Sequence, residues 1–540
     1  MNRSGHVDRF AADRLPPKEE WPDLLFSLPE LQYPERLNCA GRLLDRHIAS
    51  GRADRRCLLA PGEVWSYRDL FCAANQIAHV LQDDFGVVPG NRVLLRAPNT
   101  PMLAACWFAV MKSGAIAVTS MPVYRAAELK AIVEKAQIRH ALCDARLTAD
   151  LHAAVAGLPG FSVLCFGGGS AQSLESRMRE KPVMFQNVDT AAEDVAIIAF
   201  TSGTTGKPKA TLHFHRDIMA ICDTYGKRVL RAASDDLFTG SPPLAFTFGL
   251  GGILLFPLHA GAATLLLEKA QPQALLEAIE RHRVSVLFTA PVAYRAMAEM
   301  LGRFDASSLR KCVSAGETLP LTTWGLWRRT TGLPIMDGIG STEMLHIFIG
   351  SPDDRVKGGS TGEPVPGYEA QIHDDDGTAL PSGEIGRLAV KGPTGCRYLD
   401  DDRQTGYVRN GWNYPGDAYR ADDEGYFWYV ARTDDMIIAA GYNISGPEVE
   451  EALLTHREVK ECAVIAKPDK ARSTNLIKAY VVLCDATVAG EAKGKELQEF
   501  VRARIAPFKA PREVEFVSEI PRTETGKVQR FKLRQRAAEE

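Results

Sequence analysis

Short apolar runs rich in Val, Ile and Leu recur along the chain, several of them followed by stretches of helical periodicity. The run at 92–96 precedes a helix predicted over 102–112, and further strands are predicted at 195–200, 262–267 and 284–288. Strands alternating with helices imply an α/β architecture, here a large N-terminal domain of mostly parallel sheets with helices. After about residue 360 the pattern changes to short segments punctuated by Gly, Asp and Pro (GEPVPGYEAQIHDDDG, SGEIGRLAVKG, DEGYFWYVAR), which predicts a small β-rich subdomain with hairpins. From about Asp434 the chain reads as a compact α+β unit, with helices at 447–456 and 495–505 and strands at 461–466 and 479–483. The predicted division is therefore a domain over 1–433 and a smaller C-terminal domain over 434–540.

A chain of 540 residues exceeds what one hydrophobic core normally organises, in line with that division. Apolar and charged contents of 45% and 24% are those of a globular protein and exclude disorder. The net charge of −3, with signs mixed along the chain, excludes a broad footprint for nucleic acid. The 11 cysteines are odd in number and none is in CxxC spacing, which argues against a disulfide framework and a zinc site and fits a reducing cytoplasm. The first residues carry charges and prolines where a signal peptide would need an apolar stretch. The uncharged run at 237–267 is long enough to suggest a membrane span, but Pro242, Pro243, Pro257 and five glycines mark it as buried strands, turns and a helix, so no membrane partner is expected.

The densest chemistry follows the strand at 195–200. Thr201, Ser202, Thr204 and Thr205 offer hydroxyls, Gly203 and Gly206 allow tight turns, and Lys207 and Lys209 supply positive charge, so the loop is built to hold a polyphosphate. It is not the usual P-loop: two residues separate its glycines, where that motif has four, and Pro208 follows Lys207.

This string resembles the phosphate loop of the adenylate-forming superfamily of acyl-CoA and aryl-CoA synthetases, luciferases and peptide-synthetase adenylation domains. Further segments resemble the same superfamily in the same order: Asp337-Gly-Ile-Gly-Ser-Thr-Glu343, Gly416-Asp417, Arg432-Thr-Asp-Asp-Met-Ile437, Gly441-Tyr-Asn-Ile444 and Pro521-Arg-Thr-Glu-Thr-Gly-Lys527. The resemblance implies that ATP, Mg²⁺ and coenzyme A are used, with acid and ATP first forming an acyl-adenylate. It assigns Thr342 to the α-phosphate, Glu343 to Mg²⁺, and Asp417 with Arg432 to the ribose. Gly316 and Glu317 would flank adenine and the acyl pocket, and Asp337 and Gly338 would join the nucleotide site. Lys527 would bridge carboxylate and α-phosphate, although a lone lysine in such a loop is ordinarily a solvated charge.

In the superfamily a rotation of the C-terminal domain then exchanges this lysine for a loop that lines the CoA tunnel. Asp434 matches the hinge, and Gly441 with Tyr442 matches that loop. Phe508 and Arg512 are candidates for the CoA nucleotide, with packing and an ordinary surface charge as equal alternatives. Acetylation of the lysine matching Lys527 is a switch in related synthetases, which implies an acetyltransferase and deacetylase as partners.

The segments Val313-Ser-Ala-Gly-Glu317 and Ser341-Thr-Glu-Met-Leu-His346 are most similar to the aryl-CoA ligases acting on benzoate, and the opening FAADRLPPKEEWPDLLF to 2-aminobenzoate (anthranilate) CoA ligases. The acyl pocket would then include Thr247, Phe248, Ala315, Gly340 and His346, of which His346 taken alone reads as a core histidine. Where the benzoate type carries Ala-Tyr this chain has Thr247-Phe248, a changed polar inventory in which Thr247 could accept from an ortho amino group or merely satisfy a backbone carbonyl. The expected reaction is ligation of an aromatic acid, 2-aminobenzoate foremost, to CoA. Benzoate or another aryl or short acid, donation to a carrier protein, luciferase-type oxygenation and a non-catalytic nucleotide binder are the alternatives.

Overall fold

A computed structural model describes residues 4–201, 208–439, 442–469, 474–523 and 527–539. Two sheets form the large N-terminal part. One has six strands in the order Ser162–Phe166, His140–Asp144, Arg92–Arg96, Ile116–Ser120, Val195–Thr201 and Lys209–Phe214, all parallel except the last. The other has eight, in the order Ile347–Gly350, Ile335–Gly340, Lys311–Ala315, Val286–Thr289, Leu237–Gly240, Ala263–Leu265, Arg56–Ala60 and Glu63–Ser66; only its two edge strands run antiparallel to their neighbours. Parallel strands covered on both faces must be apolar throughout, which is why the interior strands read as continuous runs. The helix Pro101–Lys112 is buried on every side and is correspondingly apolar. It begins where Thr100 accepts from the Leu103 amide (3.2 Å), a cap that fixes its start one residue before the predicted 102.

The stretch 237–267 forms the strand Leu237–Gly240, helical turns from Thr247 to Ala260, and the strand Ala263–Leu265, joined at Gly261 with φ 75°. Among the described residues no helix is long and apolar enough to cross a membrane. Glu369–His373, Ile385–Lys391, Val408–Arg409, Trp412–Asn413, Asp417–Ala421 and Phe427–Arg432 make an antiparallel sheet, the predicted β-rich subdomain.

From Ile437 onward the chain builds a core of its own, in which Ile437, Val449, Leu453, Val481 and Leu497 are buried. Its strands Val459–Asp469 and Thr474–Leu483 extend well beyond the predicted 461–466 and 479–483, because charged and amide residues on a half-exposed antiparallel pair mask the pattern. Its α-helices among the described residues are Gly446–Leu454, Glu491–Arg502 and Arg530–Glu539.

The first thirty or so residues contain only isolated helical turns and act as a strap. Asp8 pairs with Arg92, the Trp21 ring lies 5.7 Å from that of Phe214, and Asp23 pairs with Lys391 at 2.6 Å. Gln404 closes the far end by donating to the Glu20 carbonyl at 2.8 Å.

Candidate active site

The strand Val195–Thr201 pairs antiparallel with Lys209–Phe214, Thr201 opposite Lys209. Ser202, Gly203, Thr204, Thr205, Gly206 and Lys207 lie outside the described residues; Thr201 and Lys209 are half-buried. The Lys209 ammonium donates to the Tyr398 hydroxyl at 3.1 Å and sits 5.1 Å from that ring and 6.0 Å from the Tyr407 ring. Tyr398 in turn donates to Glu343 Oε1 at 2.6 Å. Burial, reinforced by the Glu343 charge, raises the Tyr398 pKa far above the ordinary phenol range, so the phenol keeps the proton it donates.

Thr342 and Glu343 are buried in the turn between Ile335–Gly340 and its antiparallel neighbour Ile347–Gly350. The Met344 and Leu345 amides close the turn onto the Ser341 and Thr342 carbonyls, which forces Leu345 to φ 68°. A branched side chain in this left-handed region stores about 1–3 kcal/mol, sustained here by full burial of Leu345. His213 Nε2 donates to the Thr342 carbonyl at 2.8 Å, and the hydroxyls of Ser341 and Tyr407 are 3.1 Å apart. The turn carrying Thr342 and Glu343 is thus anchored to the strand Lys209–Phe214.

On the neighbouring parallel strands Ala315 pairs with Gly338, and Ser314 with Asp337, while Gly316 follows at φ 96°. Burial pushes Asp337 well above the carboxylate range, and among the described residues its Oδ1 has no hydrogen-bond partner. Asp417 opens the strand Asp417–Ala421 and receives Arg432 Nη1 at 3.0 Å, a contact set by their register pairing. Gly416 has φ 86°, a left-handed conformation that favours glycine, and a Cβ there would lie 2.9 Å from Arg432 Nη2. Burial raises the Asp417 pKa, and Arg432 and then Lys527 oppose the rise.

Lys527 is brought to this cleft from the C-terminal unit. Its amide donates to Thr523 Oγ1 at 3.0 Å, and the Thr523 amide to its carbonyl at 2.7 Å, which holds it on a narrow tip. Lys527 retains solvent contact, yet desolvation by the surrounding protein and repulsion from Arg432 lower its pKa, opposed by Asp417, Glu343 and Glu317. Glu317 itself pairs with Arg522 at 2.8 Å.

A buried carboxylate with one oxygen steadied by a phenol suits Mg²⁺, which takes few protein ligands and completes its shell with phosphate oxygens and water. Among the described residues the group with metal-ligand spacing is His456, Glu458 and Glu496, in the C-terminal unit; Lys493 already bridges both glutamates at 2.6 Å.

Thr247 and His346 are buried, Phe248 is half-buried, and Gly340 packs so closely that a Cβ would lie 2.7 Å from the His346 carbonyl oxygen. The His346 ring stands in an aromatic box, with centroids 4.6 Å from Phe256, 5.3 Å from Tyr225 and 5.7 Å from Phe248. Burial lowers its pKa to about 3, so the ring is neutral, and among the described residues neither nitrogen has a hydrogen-bond partner. Asp434 lies in the helical turn Thr433–Asp435 and Tyr442 begins the strand Tyr442–Ile444; Gly441 lies outside the described residues. Phe508 and Arg512 are exposed on the C-terminal unit. Tyr398, Tyr407, His213 and Tyr225 have no local sequence signal that marks them for the site, and Arg522, although inside the string 521–527, was given no role there.

A family profile described as AMP-binding enzyme matches residues 45–397, and one described as AMP-binding enzyme C-terminal domain matches 448–527. The benzoate–CoA ligase of Thauera aromatica is 33% identical over 518 residues, covering 94% of this chain and 97% of that protein. The crystal structure of the anthranilate CoA ligase AuaEII in complex with anthranoyl-AMP superposes with a TM-score of 0.90 at 32% identity, covering 94% of this chain and 99% of that one. A benzoate CoA ligase from Burkholderia xenovorans LB400 gives a TM-score of 0.85 at 30% identity, over 92% of this chain and 100% of that one.

Proposed function

The chain belongs to the AMP-binding enzyme family, and on that premise we propose that it is an aryl-CoA ligase whose acid is 2-aminobenzoate. The observation that carries the reading is convergence: Lys527, from the C-terminal unit, lies within Coulombic reach of Glu343, Asp417 and Glu317, from the large one. Similarity to an anthranilate CoA ligase supports the choice of acid, and the burial of Thr247 beside His346 and Phe248 is compatible with it.

Carboxylates are poor electrophiles, so the acid oxygen attacks the α-phosphorus of ATP, pyrophosphate leaves, and a mixed anhydride forms. Lys527 offsets charge developing at the α-phosphate, and Thr342 donates to its oxygen. Glu343 would hold Mg²⁺, which when bound neutralises phosphate charge. Asp417 and Arg432 fix the ribose, with Asp337, Gly338, Gly316 and Glu317 around adenine. The CoA thiol, having lost its proton to solvent, then attacks the acyl carbonyl as the thiolate, the acyl–phosphate bond breaks, and the thioester forms as AMP departs.

For this second step Asp434 serves as the hinge of a domain over 434–540, and the loop with Gly441 and Tyr442 takes the place of Lys527. Because the first step depends on the Lys527 charge, an acetyltransferase acting there would switch it off. ATP–pyrophosphate exchange with 2-aminobenzoate, benzoate, hydroxybenzoates and short fatty acids, followed by detection of the CoA thioester, tests the reading. Fastest turnover with 2-aminobenzoate is expected; exchange with no acid refutes ligation, and preference for another acid refutes the substrate.

A further inference from the structure

The helix Leu321–Thr331 begins after Pro320, whose side chain gives no cap, so its first amides need acceptors from elsewhere. They find them in the C-terminal unit: Leu321 N donates to Glu451 Oε2 at 3.2 Å, and Thr322 N to Glu451 Oε1 at 3.1 Å. Glu451 belongs to the helix Gly446–Leu454, so a carboxylate of one unit caps a helix of the other with both oxygens. A second charged contact lies on the same edge. Glu317, just upstream of the capped helix, receives Arg522 at 2.8 Å, and Arg522 also reaches Glu461 at 3.5 Å. Arg522 precedes Thr523, whose hydrogen bonds hold Lys527. The edge of the large unit that follows the strand Lys311–Ala315 is therefore where the small unit is seated, and Lys527 hangs from that seat.

We propose that Glu451 is a positioning residue for adenylate formation: by capping the Leu321–Thr331 helix it docks the C-terminal unit so that Lys527 enters the cleft. Glu451 acts through Lys527. This rests on the ligase reading above, because it assigns Lys527 to the first half-reaction alone. A carboxylate that only stabilised the fold would serve both half-reactions equally.

The test compares Glu451→Ala, Glu451→Gln, Lys527→Ala and the Glu451→Ala/Lys527→Ala double variant. Glu451→Ala is expected to slow pyrophosphate exchange about tenfold, the scale of one lost cap, with KM for acid and ATP unchanged. Thioester formation from supplied acyl-adenylate stays within about twofold. Glu451→Gln, which keeps an acceptor, recovers most of the loss, and the double variant is no slower than Lys527→Ala alone. Equal loss in both half-reactions, an unaffected exchange rate, or multiplicative loss in the double variant overturns the proposal. Amide hydrogen exchange over 318–326 and in the segment carrying Lys527 reads the docking whichever acid is activated. Faster exchange of both segments in Glu451→Ala is expected, and unchanged exchange refutes docking even if the wild type activates no acid.

Discussion

Replacing Tyr398 by Phe removes one oxygen from the middle of the Lys209–Tyr398–Glu343 chain and nothing else. The ring is 1% exposed and packs against Tyr407 at 5.9 Å, contacts that phenylalanine reproduces, so no cavity opens. What is lost is a 2.6 Å hydrogen bond to a carboxylate that is itself only 8% exposed, together with the 3.1 Å bond the phenol accepts from Lys209. A bond to a charged acceptor contributes about 1.5–3 kcal/mol, and at about 1.4 kcal/mol per decade that is a loss of roughly 10- to 100-fold. The same range is typical when the partner that orients a metal-binding carboxylate is removed. Tyr398→Phe is therefore expected to lower the rate of pyrophosphate exchange by that factor and to raise the Mg²⁺ concentration for half-maximal activity, while thioester formation from supplied acyl-adenylate is largely kept. Exchange within twofold of wild type across a Mg²⁺ titration would refute the role given to Glu343 and its phenol.

Lys527→Ala should slow adenylation by about 10²-fold or more and spare the second half-reaction, and equal losses would contradict its assignment. Desolvation and Arg432 lower the Lys527 pKa, so wild-type adenylation should decline on the alkaline side at lower pH than an ordinary lysine would give. Lys527→Arg, whose charge persists, should abolish that decline; an unchanged profile assigns the limb elsewhere. Thr247→Ala should reduce kcat/KM for 2-aminobenzoate by about 1 kcal/mol relative to benzoate, and a comparable loss for both acids ends its specificity role. Asp434→Pro should collapse overall turnover by fixing a dihedral that must change, and normal rates in both half-reactions would show that the hinge is elsewhere.

Where a segment's fate depends on its own pattern, the sequence was informative. The apolar strands Arg92–Arg96 and Val195–Thr201 and the β-rich stretch after 360 all follow from local composition. Thr342, Glu343, Asp417 and Lys527 were found because they sit in strings that resemble a family. Tyr398 and Glu451 were not, because each matters only through a partner 55 or 130 positions away. Tyr398 in isolation is an ordinary core aromatic, and Glu451 an ordinary helix carboxylate. Their roles are created by the approach of two units and by burial, neither of which periodicity encodes. The strand Thr474–Leu483 was underread for a related reason: Lys478 is 3% exposed only because Glu515, on the adjacent strand Glu513–Phe516, lies 2.7 Å away.

The strap formed by the first residues has a timetable as well as a shape. Asp23 waits for Lys391, 368 positions later, and Glu20 for Gln404, 384 positions later. At about 5–20 residues per second on the ribosome, its far partners emerge roughly 20 to 75 s after the strap itself. During that interval Leu24 still lacks its bridge to Gly392, whereas Arg92 over the Phe10 ring and Phe214 beside Trp21 have already been made. The strap is therefore seated in two stages, against Arg92 and Phe214 first and against Lys391 and Gln404 only when the β-rich sheet has been made.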